Sequence, residues 1–164
     1  MLPFKNNVSA RTFSMKPWLP LLLVLAVGCS KIDMAKWNQQ TGADVIEFVN
    51  RYRQAGTGEV ETVLKDFLAR GDEYDRLGWA RYGAPGWIDE FRNNCEARLA
   101  VFHKAVGNID AYQTHVRSAI AHLKRVHPDA TYTEEDIRGF VERLDEIHIK
   151  PQWRTELTNT TRSL

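Results

Sequence analysis

A chain of 164 residues that is 43% hydrophobic, 26% charged and 10% aromatic can hold one globular domain with a buried core. Ten glycines, six prolines and two cysteines exclude collagen-like, low-complexity and disulfide-framework chains. The 22 basic residues are matched by 21 acidic ones, so the clustered positive surface that a phosphate backbone selects is not expected, and neither is a nucleic-acid partner.

The chain opens with a polar stretch, Met1 to Ser14. Met15-Lys16-Pro17-Trp18 then gives a compact charged start, followed by a short apolar run through Leu25. This is the layout of a secretory leader, with Met15 as the expected true start. A helix that stays in the bilayer needs roughly 20 apolar residues, and the run between Lys16 and Lys31 is too short to remain as an anchor.

Leu25-Ala26-Val27-Gly28-Cys29 resembles a bacterial lipobox, the signal of the lipoprotein class. The resemblance covers residues 15–32 and names a processing class, not a family for the rest. It implies cleavage between Gly28 and Cys29 and acylation of the Cys29 thiol. Residues 1–28 are then a signal peptide and residues 29–38 a lipidated tether. Each buried CH₂ contributes about 0.8 kcal/mol, so several chains would hold the protein to a membrane permanently. Ser30 after the cysteine implies sorting to the outer membrane, periplasmic face, with the inner membrane as the alternative. Trimming removes Lys5, Arg11 and Lys16 and no acid, leaving 19 basic against 21 acidic residues and a formal charge of −2.

Beyond the tether the apolar residues recur at helical spacing, which predicts an all-α bundle of four to five helices over 39–150. The first runs from Gly42 to Gln54, capped by Thr41, with Val45, Phe48, Val49 and Tyr52 in one stripe. The second spans Glu59 to Arg70 and stops at Gly71. Asp72 to Gly86 reads as a short helical turn and a loop. From Trp87 to Val106, residues Ile88, Phe91, Cys95, Leu99, Phe102 and Val106 trace a narrow apolar face. Gly107-Asn108 supply a stop and a cap, and a stripe from Ile109 to Val126 follows, so these two helices should lie antiparallel. Thr133 caps the last long helix, where Tyr132 can staple onto Ile137 and Phe140 extends the stripe to about Ile149, closed by Pro151. Residues 151–164 read as a polar tail with Trp153 as its anchor.

Chemistry-bearing candidates are few. Cys95 lies within an apolar stripe and reads as a small buried hydrophobe. His115 and His122, seven apart, lack the local pair that zinc sites commonly use, so no metal is expected and the two read as boundary residues. The only serine of the helical body is Ser118, in mid-helix, which excludes a nucleophile elbow. Asp72-Glu73-Tyr74-Asp75 lacks the alternation and turn glycine of a calcium loop and reads as a solvated helix start. Glu90, beside Trp87 and Phe91, and Glu73 are the carboxylates that a cell-wall hydrolase would use. The stretch from Gly78 to Trp87 gathers Trp79, Arg81, Tyr82 and Trp87 among glycines. These are interface residue types, and two readings stand: an outward binding surface, or a crossover whose aromatics plug the bundle.

The function expected is therefore a non-catalytic, lipid-anchored module without a cofactor that binds an envelope protein. The alternatives are an immunity or exclusion lipoprotein that blocks a toxin or incoming element, and the hydrolase.

Overall fold

The computed structural model describes residues 19–162, with side chains from Met34 to Thr160 other than Ile147. Six α-helices and no strand occur among these residues, so the fold is an all-α bundle. The chain divides into two units, residues 1–36 and 37–164. In the first, residues 19–36 are helical and belong to α1 (Leu19–Gln54). No helix among the described residues is long and apolar enough to cross a membrane. The Cys29 side chain, and with it the acylation and cleavage expected at Gly28-Cys29, lies outside the described residues, as does the leader before residue 19.

The second unit comprises α1 from Trp37 onward, α2 (Val60–Arg76), α3 (Trp87–Ala105), α4 (Ile109–Val126), α5 (Glu134–Leu144) and α6 (Gln152–Arg162). Two expected helix boundaries are corrected. Thr41 caps nothing, because the helix already runs through Ser30 to Asn38. Its hydroxyl donates 2.7 Å back to the Trp37 carbonyl, a bond threonine makes inside helices. Gly71 does not stop α2. It is buried, and a Cβ there would meet Arg92 Cγ at 3.2 Å and Phe91 Cδ1 at 3.5 Å. The glycine admits α3 at close range, at a helix-propensity cost of about 1 kcal/mol.

Asp72, Glu73 and Asp75 consequently sit in the last turns of α2 instead of at a helix start. There Arg92 of α3 pairs with Asp72 at 2.8 Å and Asp75 at 2.6 Å, and Arg76 pairs with Glu73 at 2.5 Å. These cations offset the unfavourable meeting of acids with the negative end of the helix.

α3 is the central helix, packed on α2, α4 and α5. Every residue from Ala97 to His103 is buried, so its covered surface is much wider than the stripe of Ile88, Cys95, Leu99 and Phe102. The α3–α4 turn forms as the sequence predicts. Gly107 adopts φ +78°, the Asn108 N–H donates to the His103 carbonyl at 2.9 Å, and the Gly107 N–H donates to that of Lys104 at 3.2 Å. Asn108 Oδ1 then accepts the Ala111 N–H at 3.2 Å, capping α4. Val106 and Ile109 flank this turn and stand exposed, as does Phe140 on α5, so the stripes are covered less completely than their spacing suggests. Two histidine–carboxylate bridges join the helices: Asp89 to His122 at 2.7 Å and Glu96 to His115 at 2.6 Å.

The capping box of α5 is present. The Asp136 N–H donates to Thr133 Oγ1, and Asp136 Oδ2 accepts the Thr133 N–H at 2.8 Å. The helix ends at Leu144, short of Ile149. Asp145–Ile149 widen into a π-turn, and Lys150, with φ 47°, turns the chain into Pro151 and α6. The segment read as a polar tail is thus mostly helix, and Trp153 is 1% exposed within the main core.

Polar contacts also cross the interior. Asp145 is fully buried, accepts the Tyr52 hydroxyl at 2.6 Å, and lies 3.3 Å from Arg98 and 3.4 Å from Arg154. Burial pushes the Tyr52 hydroxyl well above its usual range, aided by the Asp145 charge. Asp44, also buried, accepts from Arg70 and Tyr74 and ties α1 to α2.

Candidate functional site

A cleft of about 550 Å³ opens between α1 and α3. Its α1 wall carries Trp37, Thr41 and Val45 at four-residue spacing. Its α3 wall carries Trp87, Glu90, Phe91 and Asn94, the i, i+3, i+4, i+7 positions of one helix face. Gly83 and Ala84 close one end. Gly83 has φ +76°, and a Cβ there would come within 3.0 Å of Trp37 Cζ2, so the loop can approach the tryptophan only as glycine.

The aromatic rings pack on one another. Trp37 meets Trp87 edge-on and Tyr82 at a tilt, both with centroids 5.9 Å apart. Behind them Tyr74 stacks on Trp79 at 5.5 Å. The indole nitrogens of Trp37 and Trp87 are covered and have no hydrogen-bond partner among the described residues. Leaving a buried donor unpaired costs about 1–3 kcal/mol.

The residues singled out in the sequence divide on this geometry. Trp79 is 4% exposed and serves as packing, so it offers no surface to a partner. Tyr82 and Trp87 are half-buried, on the rim of the aromatic cluster. Arg81 is exposed and lies over the Tyr82 ring at 4.9 Å. Glu90 is exposed at the cleft, and its carboxylate makes no ion pair or hydrogen bond among the described residues. Glu73 is held by Arg76 outside the cleft. The crossover and surface readings of residues 78–87 thus apply to different side chains: Trp79 plugs, Trp87 lines the cleft, and Tyr82 packs against Trp37 in the aromatic cluster.

Sequence reasoning overlooked the α1 wall. Trp37, Thr41 and Val45 share one helical spacing, but a helix start placed at Gly42 hid it. Gly42 itself is exposed in mid-helix, with no described residue within 4 Å of where its Cβ would lie.

Elsewhere, His115 and His122 each turn to a different α3 carboxylate, and no group of three or more metal-ligating side chains converges among the described residues. Cys95 is 1% exposed, and burial pushes its thiol up to about 12, the state of an inert core residue.

His103 is buried, with both ring nitrogens lacking a hydrogen-bond partner among the described residues, and it stacks on His115 at 5.2 Å. Desolvation pushes its imidazole below the ordinary value. Glu61 opposes this, while His115 and Lys65 reinforce it. The folded chain therefore resists a proton that the unfolded chain accepts near pH 6.5. The contribution of His103 to stability should be flat above that pH and fall below it. Thermal melts of the wild type should decline from about pH 7 to pH 5, and His103→Leu should flatten this decline. An unchanged decline in the variant would contradict the assignment.

Comparison with protein-family models, with curated proteins and with solved structures gives no match, so the fold and this cleft are the grounds for a functional reading.

Proposed function

We infer that the chain is a non-catalytic, lipid-anchored binding module whose helical body engages an envelope protein through the α1–α3 cleft. The observation that carries this is the cleft itself, where half-buried Trp37 and Trp87 stand beside the unpaired carboxylate of Glu90. Tryptophan at the centre of a concave surface is a frequent source of binding energy. The lipobox-like Leu25 to Cys29 supports a membrane anchor and the periplasmic face of the outer membrane as the place where the partner is met.

Ala84 is exposed and lines the cleft, which makes it the position for a photo-crosslinking residue in intact cells. The expected result is a discrete adduct from position 84 and none from the exposed Lys124 on α4. Equal labelling at both positions, or none at 84, would refute the reading. The anchor is checked on the same material, because Cys29→Ser should abolish the acyl mass and release the protein from membranes.

A further inference from the structure

Resting on that reading, we propose that the cleft recognises an arginine side chain presented by the partner protein. The chain's own arginines set the pattern. Arg70 lies 4.5 Å over the Phe67 ring while its guanidinium pairs with Glu47 at 2.8 Å and with Asp44. Arg51 lies 5.6 Å over the same ring and pairs with Asp66 at 2.7 Å. Arg98 sits 5.3 Å over Tyr52 and 5.4 Å over Phe48, and pairs with Asp145 at 3.3 Å. In each case a planar cation bridges an aromatic ring and a carboxylate.

The cleft supplies the same two components. Trp87 and Glu90 are three residues apart on α3 and so are neighbours on one helix face, with Trp37 opposite. Among the described residues no arginine lines this cleft. An aromatic wall beside a free carboxylate attracts an organic cation, and a guanidinium suits it better than an ammonium because it can stack on the ring while its fork addresses the carboxylate.

Gly42 is a mid-helix glycine on the cleft lining that costs helix stability by about 1 kcal/mol relative to alanine. No described residue needs its missing side chain, since none lies within 4 Å of where a Cβ would sit. A bare backbone at this point leaves room for a partner segment to lie close to α1.

The test uses the full chain in detergent and three synthetic peptides, acetyl-Ala-Arg-Ala-amide and its lysine and citrulline counterparts, the last a neutral near-isostere of arginine. Binding is read from the indole N–H resonances of Trp37 and Trp87. The arginine peptide should shift both signals, the lysine peptide should bind more weakly, and the citrulline peptide should leave them unmoved. Glu90→Gln should weaken the arginine peptide by about five- to ten-fold. Gly42→Leu, which raises helix propensity and so keeps the fold, should block it. Citrulline binding equal to arginine, or unaltered binding in Glu90→Gln, would overturn the proposal, as would no shift with the arginine peptide at all. The two readings fail separately. If position 84 captures a partner whose crosslinked segment still binds after its arginines are changed to alanine, the arginine proposal is wrong and the binding surface stands. If position 84 captures nothing, the binding surface itself is wrong.

Discussion

Asp145→Ala is expected to lower folding stability by about 3–5 kcal/mol, read from the midpoint of urea unfolding. The carboxylate is fully buried and receives contacts from three elements: the Tyr52 hydroxyl of α1, Arg98 of α3 and Arg154 of α6. Removing it leaves Arg98, only 2% exposed, as a buried cation that has lost its carboxylate partner. The loss comes from that stranded cation more than from the ion pair itself, because desolvation consumes most of what two buried charges gain from each other. Removing both charges should therefore be milder. Asp145→Leu combined with Arg98→Met should cost less than Asp145→Ala alone, a departure from additivity characteristic of residues in contact. A single variant within about 1 kcal/mol of wild type would show that the charge is not isolated from water as described.

Trp153→Ala should be of similar size, about 3–5 kcal/mol, in line with the loss of a large buried aromatic side chain. Its ring meets Phe102 edge-on at 5.5 Å, and its backbone N–H donates to the Ala55 carbonyl at 3.1 Å. The neighbouring Glu156 carboxylate accepts the Thr57 N–H at 2.7 Å and the Thr57 hydroxyl at 2.8 Å. α6 is thus attached to the core by Trp153 and the partly buried Leu157, and to the α1–α2 connection by a few polar bonds. Without the indole, hydrogen exchange of α6 amides should rise toward that of free peptide before the rest of the bundle melts. Trp153→Phe should retain a good part of the stability. Uniform exchange across all helices in the alanine variant would mean that α6 is no separate unit.

Much of the fold is legible in the sequence where the signal is local. Gly107-Asn108 end one helix and begin the next through backbone geometry that few other residues adopt, and Thr133 with Asp136 form a closed pair of bonds within four residues. Trp153 anchors its segment because no other large aromatic follows Pro151. Signals that depend on distant partners mislead. Thr41 has the side chain of a cap, and only the helix running before it shows that its hydroxyl turns backward. Gly71 has the composition of a stop, and only the approach of Arg92 and Phe91 explains why it lies within a helix.

The site was half legible for the same reason. Ala84, Trp87 and Glu90 come from one stretch of sequence, whereas Trp37 reaches them only because α1 passes alongside α3. Trp79 has the same residue type as its neighbour Trp87, yet the stacking of Tyr74 takes it into the interior. Arg98 and Asp145 are hidden in the sequence by being charged, since the search for a core passes over such residues, although Arg98 keeps the helical spacing of Phe91, Cys95 and Phe102.

The paired bridges between α3 and α4 have a bearing on how accurately the hairpin must close. Asp89 and Glu96 are seven apart on one helix, His122 and His115 seven apart on the other, and each carboxylate finds its own imidazole. Aliphatic side chains such as Val116 and Ile120 would tolerate a slide of one helical turn, about 5.4 Å, by exchanging one greasy neighbour for another. The bridges would not, because such a slip pulls both imidazoles out of reach together. They act as a vernier, selecting one alignment from several that oily surfaces alone leave nearly equal in energy.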